Sequence, residues 1–209
     1  MRSFPVLLVF VFVFAHAFTV SAADNYVPIE LPHDVRIDLP RNWKVISRNQ
    51  RITLDSSVQA RTESIGVFNA SSDLNFGANL YDEAGKTAAL VNIRYYPDLE
   101  TTQEDARSAT DADVQYLDSV LRSSIAKNGQ TFGYSILKWL GTSQRTLNGN
   151  VAFITEYERS PLNNNGNSRV RLVRFFNGRA SFTITVSYRA GQEYLLRPIC
   201  DRIISSIKA

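Results

Sequence analysis

The chain has one cysteine, Cys200, one methionine at position 1, and two histidines, His16 and His33, in 209 residues. A single cysteine excludes an intrachain disulfide, and two histidines exclude a three-histidine metal centre. The net charge of +3 is too small to mark a polyanion ligand, so nucleic acid is not an expected partner. No glycine-rich phosphate loop and no G-x-S-x-G nucleophile turn occurs. Ser-x-x-Lys recurs at Ser124/Lys127, Ser135/Lys138 and Ser205/Lys208, but without the companion motifs of an acylation site. The stretch from Asp73 lacks the carboxylate a calcium loop needs at its twelfth place, where Ala84 stands. Asn69-Ala70-Ser71 is a glycosylation sequon only in a eukaryotic host.

One long apolar run is present. It follows Arg2, covers 4–20, is interrupted by His16 and Thr19, and closes on Val20-Ser21-Ala22. Basic start, apolar middle and small-residue cut site read as a secretory signal peptide over 1–22. The run is short of the about 20 apolar residues of a membrane span. With no repeat, low-complexity tract or linker, residues 23–209 are expected to form one domain, periplasmic or secreted, with no integral span after cleavage. His33 is then the only imidazole, in a Pro-His-Asp turn, and Cys200 falls in an apolar zone where a buried inert thiol is expected.

Hydrophobic spacing orders the elements. Residues 35–40 alternate Val35, Ile37 and Leu39 with polar positions, the period of a half-buried strand, and 42–47 supplies a second short strand with Trp43. A helix is expected over 50–64, strands over 74–81 and 87–96, and a turn at Gly85 between them. Thr101 with Glu104 and Thr110 with Asp113 have the spacing of capping boxes. Val114, Leu117, Leu121 and Ile125 then mark a helix, with Gly129 expected at its left-handed cap. Asn148-Gly149 and Asn177-Gly178 signal hairpins within a four-strand meander. A final helix carries Leu195, Ile199, Ile203 and Ile207, with a kink or restart expected at Pro198. Apolar residues on both faces of 151–157 imply helices on both sides of the sheet.

The stretch 168–189 places Arg169, Arg171, Arg174, Arg179 and Arg189 among apolar neighbours. Strict hairpin pairing puts Arg169 and Arg171 on the apolar face. A β-bulge near Leu172 and Val173 would turn both outward beside Arg174, towards Ser181, Thr183 and Thr185. The expectation is therefore an outward row of Arg169, Arg171 and Arg174, partly paired with Glu156 and Glu158.

The Leu39-Pro40-x-x-Trp43 opening, followed by a helix zone, two strands, a long helix, a four-strand meander and an amphipathic C-terminal helix, resembles the PsbP-like superfamily of extrinsic and periplasmic proteins. The resemblance spans about residues 27–207 and implies an α+β fold, an α/β/α sandwich on a mainly antiparallel sheet of about six to seven strands. It also implies a non-catalytic role in binding or assisting a membrane or protein complex. Histidines at the metal positions of photosynthetic PsbP proteins have no match here, so no site residue is carried over and no cofactor is expected. The expected function is an exported, non-catalytic binding or accessory protein engaging an envelope or extracellular protein, with Arg169, Arg171 and Arg174 as its docking surface. The alternatives are a carrier of a small apolar ligand between sheet and helix, and a hydrolase built on His33.

Overall fold

The computed structural model describes residues 25–63, 74–97, 101–161, 166–178 and 180–208. The signal segment 1–22, the Asn69 sequon, Asp73 and Arg179 lie outside the described residues.

In chain order the elements are β1 (Tyr26–Glu30), β2 (Arg36–Pro40), β3 (Lys44–Val45), α1 (Arg48–Glu63), β4 (Leu74–Tyr81), β5 (Thr87–Tyr96), α2 (Gln103–Ser108), α3 (Asp111–Phe132), β6 (Ile136–Leu147), β7 (Asn150–Arg159), β8 (Ser168–Asn177), β9 (Ala180–Arg189) and α4 (Glu193–Ser205). Seven strands form one antiparallel sheet in the order β3-β4-β5-β9-β8-β7-β6, and β1-β2 is a separate hairpin. The architecture is an α+β sandwich, as the order of periodicities implies.

One sheet face is built from Val91, Ile93, Val173, Phe175, Phe182, Ile184, Val186 and Tyr188. Over it lie α4, through Leu196, Cys200, Ile203 and Ile204, and the β1-β2 hairpin, through Val35, Ile37 and Leu39. Backbone bonds between Arg36 and Lys208, and from the Asp38 amide to Ser206 Oγ (2.8 Å), fix the end of this layer to β2. The Asn148 side chain, at the β6-β7 turn, donates to the carbonyls of Ser205 and Ile207 and ties the same chain end to the sheet. The opposite face carries two smaller clusters, Ala106 with Phe153 and Phe176, and Ile125 with Tyr157 and Val170, packed beneath α2 and α3. Helix α1 joins this second layer through Asp55, which pairs with Arg94 at 2.9 Å.

Several expectations shift. Strand β1 had no alternating signal of its own; its Pro28 is tolerated because β1 pairs with a single neighbour. The first capping box is Thr102 with Asp105, one residue beyond the expected pair, because Asp105 is the carboxylate that reaches back to the Thr102 amide at 2.7 Å. The Thr110–Asp113 box is as expected. Helix α3 runs through Gly129 to the left-handed cap Gly133, φ 78°. Gly129 is there for close approach: an added Cβ would stand 2.5 Å from the Tyr134 carbonyl oxygen. In α4 the buried set is Leu196, Cys200, Ile203 and Ile204, and Leu195 is 53% exposed. A strict four-residue spacing drifts about 40° per step around a 3.6-residue helix, so Leu195, Ile199 and Ile203 cannot share one buried line. Helix α4 passes through Pro198 without a break.

Candidate functional site

The arginine row of β8 does not face outward as a unit. The β8-β9 ladder runs from Asn177↔Ala180 to Ser168↔Arg189 without a register shift, and the turn begins at Gly178 (φ 60°) rather than at Asn177. The expected bulge at Leu172–Val173 is absent. With side chains alternating along the strand, Arg169 and Arg171 stay on the apolar face beside Tyr188 and Val186, and only Arg174 reaches the other side.

A bulge was expected because burying two guanidinium groups is costly. The fold meets that cost with carboxylates. Glu156, across from Arg171 on β7, places one carboxylate oxygen 3.3 Å from Arg169 Nη1 and the other 3.5 Å from Arg171 Nε. Helix α4 adds Glu193, 3.6 Å from Arg169 Nη2, and Asp201, which accepts from Arg171 Nη1. Arg197 joins Glu193 (3.1 Å) to Asp201 (3.7 Å). Three arginines and three carboxylates thus form a neutral ring that fastens α4 to β7 and β8. Arg171 is only 6% exposed. Burial opposes its charge, but Asp201 and Glu156 outweigh that effect and hold the guanidinium protonated more firmly than usual. Among the described residues Glu158 forms no ion pair with an arginine; its carboxylate accepts from the Asn167 side-chain amide at 3.5 Å.

The same layer silences nearby nucleophiles. Burial pushes the Cys200 thiol up to about 12, and Arg171 only partly opposes the shift. Burial likewise raises Tyr188 to about 12, and its hydroxyl has no hydrogen-bond partner. At neutral pH such a thiol stays protonated. His33 sits in a left-handed turn, φ 61°, with its ring stacked on Tyr95 at 4.4 Å between centroids. Phe182 lies edge-on to the same ring, 6.3 Å between centroids. Among the described residues no group of three or more His, Cys, Asp or Glu could hold a metal ion.

Arg174 enters a different setting. Register places Phe153, Arg174, Thr183 and Arg94 in one row across β7, β8, β9 and β5, on the face beneath α1 and α3. Arg94 is neutralised by Asp55. Arg174 has no ion pair among the described residues. Beside it Thr183 Oγ1 is buried with no hydrogen-bond partner, and so is Asn92 Oδ1 one row along. Leu117 and Leu121 of α3, with Phe153 and Leu172 of the sheet, complete a cleft of about 30 Å³ that opens to solvent. The sheet therefore brings Arg174 and Thr183 into a cleft whose lining is otherwise largely apolar.

A further feature lies on the outer strand. The β6-β7 ladder shifts register between Ile136 and Lys138 and again between Trp139 and Gly141, which leaves Leu137 and Leu140 outside the pairing. They are 51% and 42% exposed. Trp139 between them turns inward, stacking on Tyr157 and donating to Asp118 of α3 at 3.1 Å. Bulges commonly end strand pairing at a sheet edge. The opening sequence pattern shows no bulge, since a bulge is a property of the pair and not of one strand.

No protein-family model and no curated protein sequence matches the chain. Solved structures do match. Cyanobacterial PsbP (CyanoP) from Synechocystis sp. PCC 6803 superposes with a TM-score of 0.57 at 12% identity, over 88% of this chain and 92% of that one. LpqN, involved in cell envelope biogenesis of Mycobacterium tuberculosis, gives 0.46 at 11% identity over 88% and 91%. A protein of unknown function from Pseudomonas aeruginosa, PA94, gives 0.37 at 10% over 88% and 97%. No helix among the described residues is long and apolar enough to cross a membrane. The match to CyanoP over nearly the whole of both chains, with the seven-stranded antiparallel sheet between helical layers, makes the fold of this chain PsbP-like.

Proposed function

We propose that this is an exported, non-catalytic accessory protein that binds an envelope or extracellular protein, and that it does so along the β6 edge. The signal-like leader and the PsbP-like layout favour export. The observation that carries the binding reading is the pair of register shifts that put Leu137 and Leu140 into solvent on an edge strand. Core formation gives no reason to expose two leucines there. Tyr116 and Val120 on α3, the helix that packs on β6, add exposed apolar surface at 73% and 44%. Apolar side chains at an edge that also offers unpaired backbone groups suit a protein partner.

Arg169 and Arg171, expected at the docking surface, are instead spent on internal carboxylates and do not favour that role. The apolar-carrier alternative meets a cleft with room for about one or two waters, too small to enclose a whole apolar ligand. The protonated thiol of Cys200 and the aromatic stack around His33 do not favour a hydrolase. The test is affinity capture from the native envelope with the wild type and with the Leu137→Asp/Leu140→Asp double variant. The reading expects a specific partner lost from the double variant and kept by Cys200→Ala. An identical set of captured proteins from wild type and double variant would remove the β6 edge from the account.

A further inference from the structure

We propose that the cleft between α3 and the sheet binds a monoanionic carboxylate borne on an apolar chain, with Arg174 holding the carboxylate and Thr183 donating a hydrogen bond to it. This goes beyond the β6 reading and does not depend on it.

Charge is the first argument. Arg169, Arg171 and Arg189 of the β8-β9 hairpin are each paired with a carboxylate, Arg189 with Asp82 at 2.8 Å, and Arg94 next along the sheet is paired with Asp55. Arg174 alone of these five brings a positive charge that no described carboxylate cancels, in a partly buried position where the screening of bulk water is reduced. One uncancelled cation matches one anionic group. A planar carboxylate fits the guanidinium fork in a bidentate pair.

The second argument is the hydroxyl. Thr183 faces Arg174 across the β8-β9 ladder, and its Oγ1 is buried without a partner. An unmade hydrogen bond at a buried atom is costly, so the fold retains a donor there that an acceptor on a ligand can use. The neighbouring Thr155 hydroxyl is already committed, 2.9 Å from Thr142.

The third argument is shape. The space of about 30 Å³ within the open cleft takes a headgroup and not a chain. Leu117, Leu121, Phe153 and Leu172 line the same cleft as the guanidinium with apolar surface. Val120, three residues beyond Leu117 on the same helix and so its neighbour on the helix surface, is 44% exposed. A short polar head with an apolar tail fits one cation and one hydroxyl among apolar side chains; a sugar or a polyphosphate does not.

The experiment titrates the purified full chain with decanoate and with decanol by calorimetry. Decanoate should bind, and decanol, which keeps the tail and lacks the charge, should bind at least about tenfold more weakly. Arg174→Gln should weaken decanoate about ten- to hundredfold and Thr183→Val several-fold, the range expected for a lost charged hydrogen bond and a lost neutral one. Arg145→Gln, an exposed arginine on β6, and Leu137→Asp/Leu140→Asp should leave decanoate affinity unchanged, which separates this site from the β6 edge. In the wild type the Arg174 side-chain Nε–H resonance should move on titration, a readout that needs no variant to fold. No decanoate binding, equal affinity for decanol, unchanged affinity in Arg174→Gln, or a stationary Arg174 resonance would each overturn the proposal.

Discussion

Arg171 and Arg174 stand three residues apart on one strand, and the sheet separates their surroundings. Under α4, Arg171 is enclosed by Glu156 and Asp201, within a ring whose charges sum to zero. Under α3, Arg174 keeps its charge, beside a hydroxyl with no partner and a small open cleft. The difference teaches that residue type does not set an arginine's role. On the α4 side the ion pairs hold a helix in place, so their charge is consumed by the fold. On the α3 side nothing in the described structure consumes it, and it remains for a ligand.

The widest gap between the faces should appear on truncating a core side chain. Ile203 of α4 is fully buried against the sheet, and Ile203→Ala should cost about 2–5 kcal/mol in urea unfolding. Leu117→Ala, beside the open cleft, should cost less than about 2 kcal/mol, since it removes fewer packed neighbours. Equal losses would mean that the cleft is as tightly packed as the α4 core.

Alkaline pH should act next, and through the α4 face. Cys200 and Tyr188 are both raised to about 12 in the fold by burial, so the folded state keeps protons that the unfolded chain releases. Their contribution is fully present below the ordinary thiol value near 9, and is lost as pH rises towards 12. For Cys200 this amounts to a few kcal/mol, on the order of 1.4 per unit of separation. The urea midpoint should fall across that window, and Cys200→Ala should flatten the fall.

Within the α3 layer, Gly129→Ala sharpens the contrast between local propensity and packing. Alanine favours a helix by about 1 kcal/mol over glycine. The added Cβ would meet the Tyr134 carbonyl, so a net loss of about 1–2 kcal/mol is expected, with the sign reversed from propensity. The smallest change is at the cap: Thr110→Ala should lower stability by about 1 kcal/mol. The Thr110 hydroxyl and amide hold the Asp113 carboxyl below its ordinary range, so the cap's contribution is present above about pH 4 and lost as pH falls below it. The helical circular-dichroism signal of wild type, compared with Thr110→Ala through that range, checks this.

Much of this fold was legible from spacing alone. Strands β4 and β5 occupy 74–81 and 87–96 as alternation dictates, and the Thr110 box and the Asn148-Gly149 turn are local patterns that their own residues specify. What failed depended on distant partners. The pattern of β8 showed that Arg169 and Arg171 share a face with Val173 and Phe175, and a bulge was invoked to relieve it. The real relief comes from Glu193 and Asp201 on α4, whose positions over the sheet depend on the direction of that helix. Arg174 is one of the three arginines of the expected row, and nothing local distinguishes it from Arg169 and Arg171. The unpartnered Thr183 and the walls from α3 became visible only with the layers assembled.

Urea unfolding of Arg171→Gln and Arg174→Gln, measured side by side, tests the central claim most directly. Removing one partner from a buried pair costs about 3–5 kcal/mol, and Asp201 is half exposed, so a loss nearer to about 2 kcal/mol is expected for Arg171→Gln. Arg174→Gln should stay within about 0.5 kcal/mol of wild type, as a site with no ion-pair partner among the described residues. Equal losses, or a larger loss at Arg174, would contradict the division of the row into one structural arginine and one left free for binding.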